Sequence, residues 1–214
     1  MFITTTKFNI PKVLENILES LQEIGAKPIL VGGCVRDYFF ELPIKDYDIE
    51  IFGIESLDFI QKVLEKFGSV KLVGKSFGVL TLKVDGYDFD FALPRIEEKI
   101  GNSHQDFLVT TNASLSFEEA ALRRDFTINA IGYDFSKKEF LDPFDGIEDL
   151  KKRVLRHIKD ETFVEDSLRV YRAIQFCARF DLAIDEKTFE LCKKIVTYTT
   201  TYKNWLSTNF LQIL

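Results

Sequence analysis

Between Ile29 and Ile49 the chain reads ILVGGCVRDYFFELPIKDYDI. A short apolar run, KPILV, ends in Gly32-Gly33; CVRDYFFE follows as the first turns of a helix, and YDIEIF then alternates like a strand. This succession calls for a sheet domain built from mixed α and β elements. The strand period of two puts Asp46 and Asp48 on one face and Ile49 and Ile51 on the other. Two adjacent carboxylates repel, and a hard divalent cation such as Mg²⁺ turns that repulsion into binding. Asp88 and Asp90 share a strand face in the same way and offer a third carboxylate. Three such groups on neighbouring strands suit the two-metal chemistry of phosphoryl or nucleotidyl transfer. A solvent-facing strand edge dressed with acids is the plain alternative for any single Asp-x-Asp.

The glycines upstream tip that balance. Gly32-Gly33 at the end of a strand lets backbone N–H groups approach a ligand closely, and a helix starting near Val35 points its positive end at the same spot, which suits a triphosphate. Arg36 adds a charge-assisted contact. The alternative is a tight turn with Arg36 and Asp37 as a surface ion pair.

The remaining elements follow from periodicity. Val13, Leu14, Ile17, Leu18, Leu21 and Ile24 recur at helical spacing until Gly25, and a further helix spans about Leu57 to Phe67. GVLTLKVDGYDFDFAL reads as a hairpin turning at Asp85-Gly86, a pair suited to a type I′ turn. Pro94 to Glu119 lacks periodicity and collects Gly, Asn, Ser, Thr and His, the profile of a long functional loop. AIGYDF is strand-like and LDPFDG a turn; beyond Asp149 the chain turns helical, in FVEDSLRVYRAIQFCARF and then DEKTFELCKKIV, with only weak helical periodicity in the final stretch.

Composition narrows the class. With 214 residues and 46% hydrophobic content the chain has material for one full domain and a smaller second one, and its 21 phenylalanines are packing material by default. Three scattered cysteines without CxxC or Cys/His spacing indicate neither a disulfide framework nor a zinc site, and point to a reducing compartment. There is no charged-then-apolar leader, and no apolar run approaches the roughly 20 residues needed to span a bilayer, so a cytoplasmic protein is expected. The net charge of −6 disfavours a polyanion partner, yet Lys151 to Lys194 holds 11 basic against 8 acidic residues. That surplus suits nucleic acid and equally suits a solvated helix face.

The motifs resemble those of the class II tRNA nucleotidyltransferase and bacterial poly(A) polymerase family. GGCVRDYFFELPIKDYDIEIF is similar to its first signature, RRDFTINAIGYD (Arg123 to Asp134) to its second, LDPFDGIEDLKKRVLR (Leu141 to Arg156) to its third and EDSLRVYRAIQFCARF (Glu165 to Phe180) to its fourth. The resemblance implies an α+β head with a mixed β-sheet and flanking helices over residues 1–149, followed by an all-α neck over 150–214 that breaks off incomplete. It implies that Asp46 and Asp48 hold Mg²⁺, that Asp90 is the third catalytic carboxylate with Asp88 its structural neighbour, and that Gly32, Gly33 and Arg36 hold the triphosphate. Arg124, Asp125 and Asn129 would contact ribose and phosphates, with Arg123 the more exposed partner. Asp166 and Arg169, at i and i+3 on one helix face, would read the edge of the incoming base, with Arg172 one step beyond. Relatives often carry Arg where this chain has Gln175.

The implied activity is template-independent addition of C and A from CTP and ATP to the 3′ end of tRNA. Poly(A) tailing and A-only or CC-only addition share the same motifs. A catalytically idle nucleotide- or RNA-binding module is the reading from another class, and transfer to a small molecule of aminoglycoside type is a distant third. His104, His157 and Cys34 receive no catalytic role.

Overall fold

The computed structural model describes residues 8–74, 78–100 and 107–201. His104 and most of the final stretch lie outside them. Helix α1 (Lys12–Glu23) buries Leu14, Ile17, Leu18 and Leu21 and ends at Gly25, whose φ of +85° an L side chain would resist. Strand β1 (Lys27–Val31) leads through Gly32 into α2 (Gly33–Phe39) and then β2 (Asp46–Phe52). The helix therefore starts at Gly33, two residues before the expected Val35.

Helix α3 (Leu57–Leu64) is capped by the Ser56 hydroxyl, which accepts from the Asp58 amide. Strands β3 (Val70–Val73), β4 (Val79–Val84) and β5 (Tyr87–Ala92) complete one side of the sheet. Asp85 and Gly86 both take positive φ, 53° and 80°, as the type I′ turn between β4 and β5 requires.

The stretch expected as an aperiodic loop, Pro94 to Glu119, instead holds β6 (Arg95–Lys99) and β7 (Phe107–Thr111), paired antiparallel, and α4 (Phe117–Ala121). A two-stranded ribbon needs no clean polar alternation, because neither face has to close a core. Helix α4 starts with a capping box, in which Ser116 and Glu119 each satisfy the other's backbone amide.

After a 3₁₀ turn at Thr127–Asn129 come β8 (Gly132–Asp134), β9 (Glu139–Leu141), α5 (Gly146–Lys152) and the short β10 (Val154–Leu155). The rest is mainly helical: α6 (Asp160–Val164), α7 (Leu168–Phe180), the two-residue β11 (Ala183–Ile184) and α8 (Glu186–Thr201). The expected single helix through FVEDSLRVYRAIQF is thus broken, and Asp166 falls in the gap. Its Oδ1 accepts from the Leu168 amide at 3.0 Å, the local bond that makes Asp a better cap than helix interior. Asp166 and Arg169 consequently do not share a helix face; Asp166 precedes the helix and Arg169 lies in its first turn.

Seven strands form one mixed sheet in the order β3-β4-β5-β2-β1-β8-β9. Within this sheet, among the described residues, β2 and β5 form the one parallel pair. Leu30, Ile49, Phe89 and Phe91 from the sheet share a single buried cluster with Phe126, Phe163, Phe176 and Phe180, so the helical second half packs on the same core as the sheet. Phe126 anchors that junction, its ring 5.7 Å from those of both Phe163 and Phe176. Among the described residues no helix is long and apolar enough to cross a membrane.

Candidate active site

The parallel pairing of β2 with β5 sets Asp46 beside Asp88 and Asp48 beside Asp90. All four carboxylates lie at one end of the two central strands, with Ile49, Phe89 and Phe91 buried on the opposite face. The pairs differ in their partners. Asp88 is held by the Lys83 ammonium, whereas Asp90 Oδ1 accepts from the Thr81 hydroxyl at 2.6 Å, beside Asp48 across the strand pair. Loss of solvent pushes the Asp48 carboxyl above its ordinary range; Arg124 opposes the shift and Asp90, Glu50 and Asp46 add to it.

Among the described residues no three His, Cys, Asp or Glu side chains stand close enough together to hold a metal ion by themselves. That does not disqualify Mg²⁺, which is commonly held by one or two carboxylates completed by water and substrate phosphates rather than by an all-protein cage. The hard-oxygen donors and the mutual repulsion centred on Asp48 fit such an ion.

Gly32 stands directly over this carboxylate. A Cβ at Gly32 would sit 3.3 Å from Asp48 Oδ2 and 3.3 Å from Arg124 Nη1, and the φ of +69° at this turn already excludes ordinary L side chains. A backbone stripped of side chain, a carboxylate and a guanidinium therefore meet at one point. They open onto a cleft of about 290 Å³, to which Gly32, Gly33, Arg36 and Asp48 contribute from the first half of the sheet domain. Arg123, Arg124, Asp125 and Asn129 line its middle, and Asp166, Arg169 and Arg172 its far wall. Nearly all the residues singled out from sequence thus converge here; Asp46 and Asp90 lie beside the cleft on the sheet rather than in its lining. Gln175 is exposed on α7, outside the lining.

Arg36 is floor rather than finger. Its guanidinium is buried, pairs with Asp37 at 2.6 Å, donates to Asn129 Oδ1 at 2.7 Å and lies over the rings of Phe176 and Phe180 at 5.1 and 4.7 Å. Asn129 in turn donates to Asp125 Oδ1 at 2.9 Å. Arg169 donates from Nη2 to the Arg123 carbonyl at 2.7 Å, and burial draws its guanidinium below its usual range.

One residue of the cluster escaped the reading of the sequence. Glu50, on the same strand face as Asp46 and Asp48, is 2% exposed and pairs with both Arg123 and Arg124. Burial alone would push its carboxyl up; the two guanidinium groups outweigh that and hold it below the ordinary range. The signal was present, since the alternation that relates Asp46 to Asp48 extends one further step to Glu50. Arg123 and Arg124 are both largely buried, with side chains 17% and 13% exposed.

Two other side chains are structural. His157 is buried between Thr188 (2.7 Å from Nδ1) and Asp160 (2.8 Å from Nε2), away from the cleft. Burial pushes the Cys34 thiol up to about 12, which leaves it unreactive.

Residues 29–156 match the model of the poly A polymerase head domain. The "Multifunctional CCA protein" of Xanthomonas euvesicatoria pv. vesicatoria is 43% identical over 164 residues, which cover 74% of this chain and 38% of that protein. Among solved structures, a CCA-adding enzyme in complex with ATP superposes with a TM-score of 0.73 at 29% identity, covering 92% of this chain and 45% of that one. A tRNA nucleotidyltransferase complexed with a primer tRNA and an incoming ATP analogue gives 0.70 at 27% identity, covering 86% and 50%. The chain spans less than half the length of the curated relatives it matches.

Proposed function

The chain belongs to the family of the poly A polymerase head domain, and on that premise we propose that it carries out template-independent nucleotidyl transfer, adding C and A from CTP and ATP to the 3′ end of tRNA. The observation that carries this reading is the single cleft in which Gly32, Asp48, Arg124, Asp125, Asp166 and Arg169 meet. The relatives named for CCA addition, and solved with ATP or primer tRNA, support the same substrates.

In this reading Asp46 and Asp48 would hold Mg²⁺, which would supply charge neutralisation at the attacking and leaving oxygens, with Asp90 on the neighbouring strand as the third catalytic carboxylate. Asp90 is the third carboxylate in this reading, since Asp88 is already engaged by the Lys83 ammonium. The Gly32 and Gly33 backbone and the Arg124 guanidinium bind the triphosphate. Asp125 and Asn129 face the ribose. The 3′ hydroxyl of the RNA gives its proton to solvent as its oxygen bonds the α-phosphorus, the bond from that phosphorus to the α–β bridging oxygen breaks, and pyrophosphate departs with its charge facing Arg124. Asp166 offers acceptors and Arg169 donors to the edge of the incoming base, so protein groups take the place of a template. Arg36 acts beneath the site, fixing Asn129 rather than gripping phosphate. Residues 1–149 would form the catalytic head and 150–214 a helical neck, and a tRNA substrate is in keeping with a cytoplasmic location.

The test is incubation of the chain with Mg²⁺, labelled CTP or ATP, and tRNA lacking one, two or three terminal nucleotides, with Asp48→Ala alongside. Ordered addition of C, C and A, absent in Asp48→Ala, is expected. Addition of A alone, or of C alone, would replace this reading by the partial-specificity or poly(A) variants. A second reading rests on the chain spanning less than half of its relatives' length: a nucleotide-binding head that binds CTP and ATP but elongates nothing until further RNA-holding elements are supplied.

A further inference from the structure

We propose that Glu50 is a positioning residue for base selection: it ties the strand that carries Asp46 and Asp48 to the arginine pair on which the base-facing Arg169 is docked. The inference rests on the nucleotidyl-transfer reading and deepens it. Glu50 lies two residues beyond Asp48 on the same strand face and is 2% exposed. One of its oxygens, Oε1, accepts from Arg123 Nη2 and, at 2.7 Å, from Arg124 Nη2. The backbone of the same two arginines receives Arg169: the Arg123 carbonyl accepts from Arg169 Nη2 at 2.7 Å, and the Arg124 carbonyl lies 3.5 Å from Nη1. Metal strand, phosphate-facing Arg124 and base-facing Arg169 are therefore joined through one carboxylate.

The cluster has little redundancy. Glu50 Oε2, Arg123 Nε and Arg124 Nε are buried without a hydrogen-bond partner. Such atoms cost free energy, and a fold keeps them only when the surrounding geometry over-determines the arrangement. Glu97 pairs with Arg95 at 2.8 Å and, of the two arginines, reaches Arg123 from 3.7 Å, so it does not replace Glu50 toward Arg124. Without the carboxylate two guanidinium groups repel in a buried space, and the backbone that seats Arg169 loses its restraint. A residue that only neutralised charge would affect all nucleotides alike. One that seats Arg169 changes the ranking among bases, because Arg169 supplies donors to the base edge.

The experiment measures dissociation constants of the chain for CTP, ATP, UTP and GTP with Mg²⁺, for the wild type, Glu50→Gln, Glu50→Asp and the charge-relieved double variant Glu50→Gln/Arg123→Gln. The expected result is a preference of the wild type for CTP and ATP over UTP and GTP that falls at least tenfold in Glu50→Gln, stays lost in the double variant, and returns in part in Glu50→Asp. If the double variant regains both fold and preference, or if Glu50→Gln weakens all four nucleotides equally, Glu50 is a charge balance only and the inference is overturned. Failure of both Gln-bearing variants to fold makes it a structural ion and has the same consequence. A wild-type chain that binds nucleotides without any preference overturns the functional reading itself, a result distinct from the others.

Discussion

Arg172 donates from Nε to Oδ2 of Asp125 at 2.6 Å, while the other oxygen of Asp125 is held by Asn129 at 2.9 Å and by the Phe126 amide at 2.9 Å. Since Asn129 also accepts from Arg36 at 2.7 Å, this one carboxylate joins α7 to α2 across the cleft. Asp125 is 8% exposed at its side chain and Arg172 is 48% exposed, so the two truncations are unequal. Asp125→Ala strands a buried amide and is expected to cost about 2 kcal/mol, whereas Arg172→Ala should cost at most about 1 kcal/mol. Urea denaturation of the two variants checks the order, and both should bind nucleotide more weakly.

Asp48 illustrates a site that costs stability. Its carboxyl is held above the ordinary range, so folding disfavours the charged form relative to the unfolded chain. Asp48→Asn is therefore expected to raise the stability slightly in the presence of a chelator, by about a few tenths of a kcal/mol because the side chain keeps an exposed face that screens the charge. The same variant should lose nucleotidyl transfer. Thermal denaturation alongside the tRNA extension assay measures both, and a lower melting temperature would contradict the electrostatic account.

Gly32→Ala probes the cradle. The new Cβ would sit 3.3 Å from both Asp48 Oδ2 and Arg124 Nη1 at a φ of +69°. Strain of about 1–3 kcal/mol is expected from the backbone alone. Circular dichroism should still show a folded chain, while titration with CTP or ATP should show binding reduced more than tenfold. Gly25→Ala, where nothing lies within 4 Å of the added carbon, should be strained but leave nucleotide binding unchanged.

Glu50 predicts the opposite pH behaviour to Asp48. Its folded carboxyl is held below the ordinary 4.5, so its contribution is fully present above that value and disappears as pH falls through the depressed folded value. The stability gap between wild type and Glu50→Gln should therefore be widest near neutral pH and shrink only below about 4.5. Denaturant melts at descending pH measure it; a gap that is constant with pH would mean that the carboxylate charge contributes nothing.

Local chemistry was the legible part of this molecule. The Asp85-Gly86 turn, the Gly25 stop and the Asp46/Asp48 face each depend on residues adjacent in sequence, and the structure contains them all. The convergence of Arg124, Asp125, Asn129 and Arg169 on Gly32 could be expected only from motif resemblance, because it depends on β1 pairing with both β2 and β8 and on α7 packing over Phe126. Two misjudgements have physical reasons. The β6/β7 ribbon was missed because strands that bury neither face lack strict alternation. The break at Asp166 was missed because helical spacing continues through Glu165 to Ser167 although the Asp166 side chain competes for the backbone amide of Leu168. Glu50 was overlooked for yet another reason: its importance comes from Arg123 and Arg124, more than seventy residues away.

In the proposed reading Asp48, Gly32 and Arg124 form a metal-dependent nucleotide site. Calorimetric titration of CTP and ATP into this chain, with Mg²⁺ and then with excess chelator, for the wild type and Asp48→Ala, tests it most directly. Saturable binding that weakens at least tenfold on removing either the metal or the Asp48 carboxylate is the predicted result. Binding indifferent to both, or no binding at all, would contradict it.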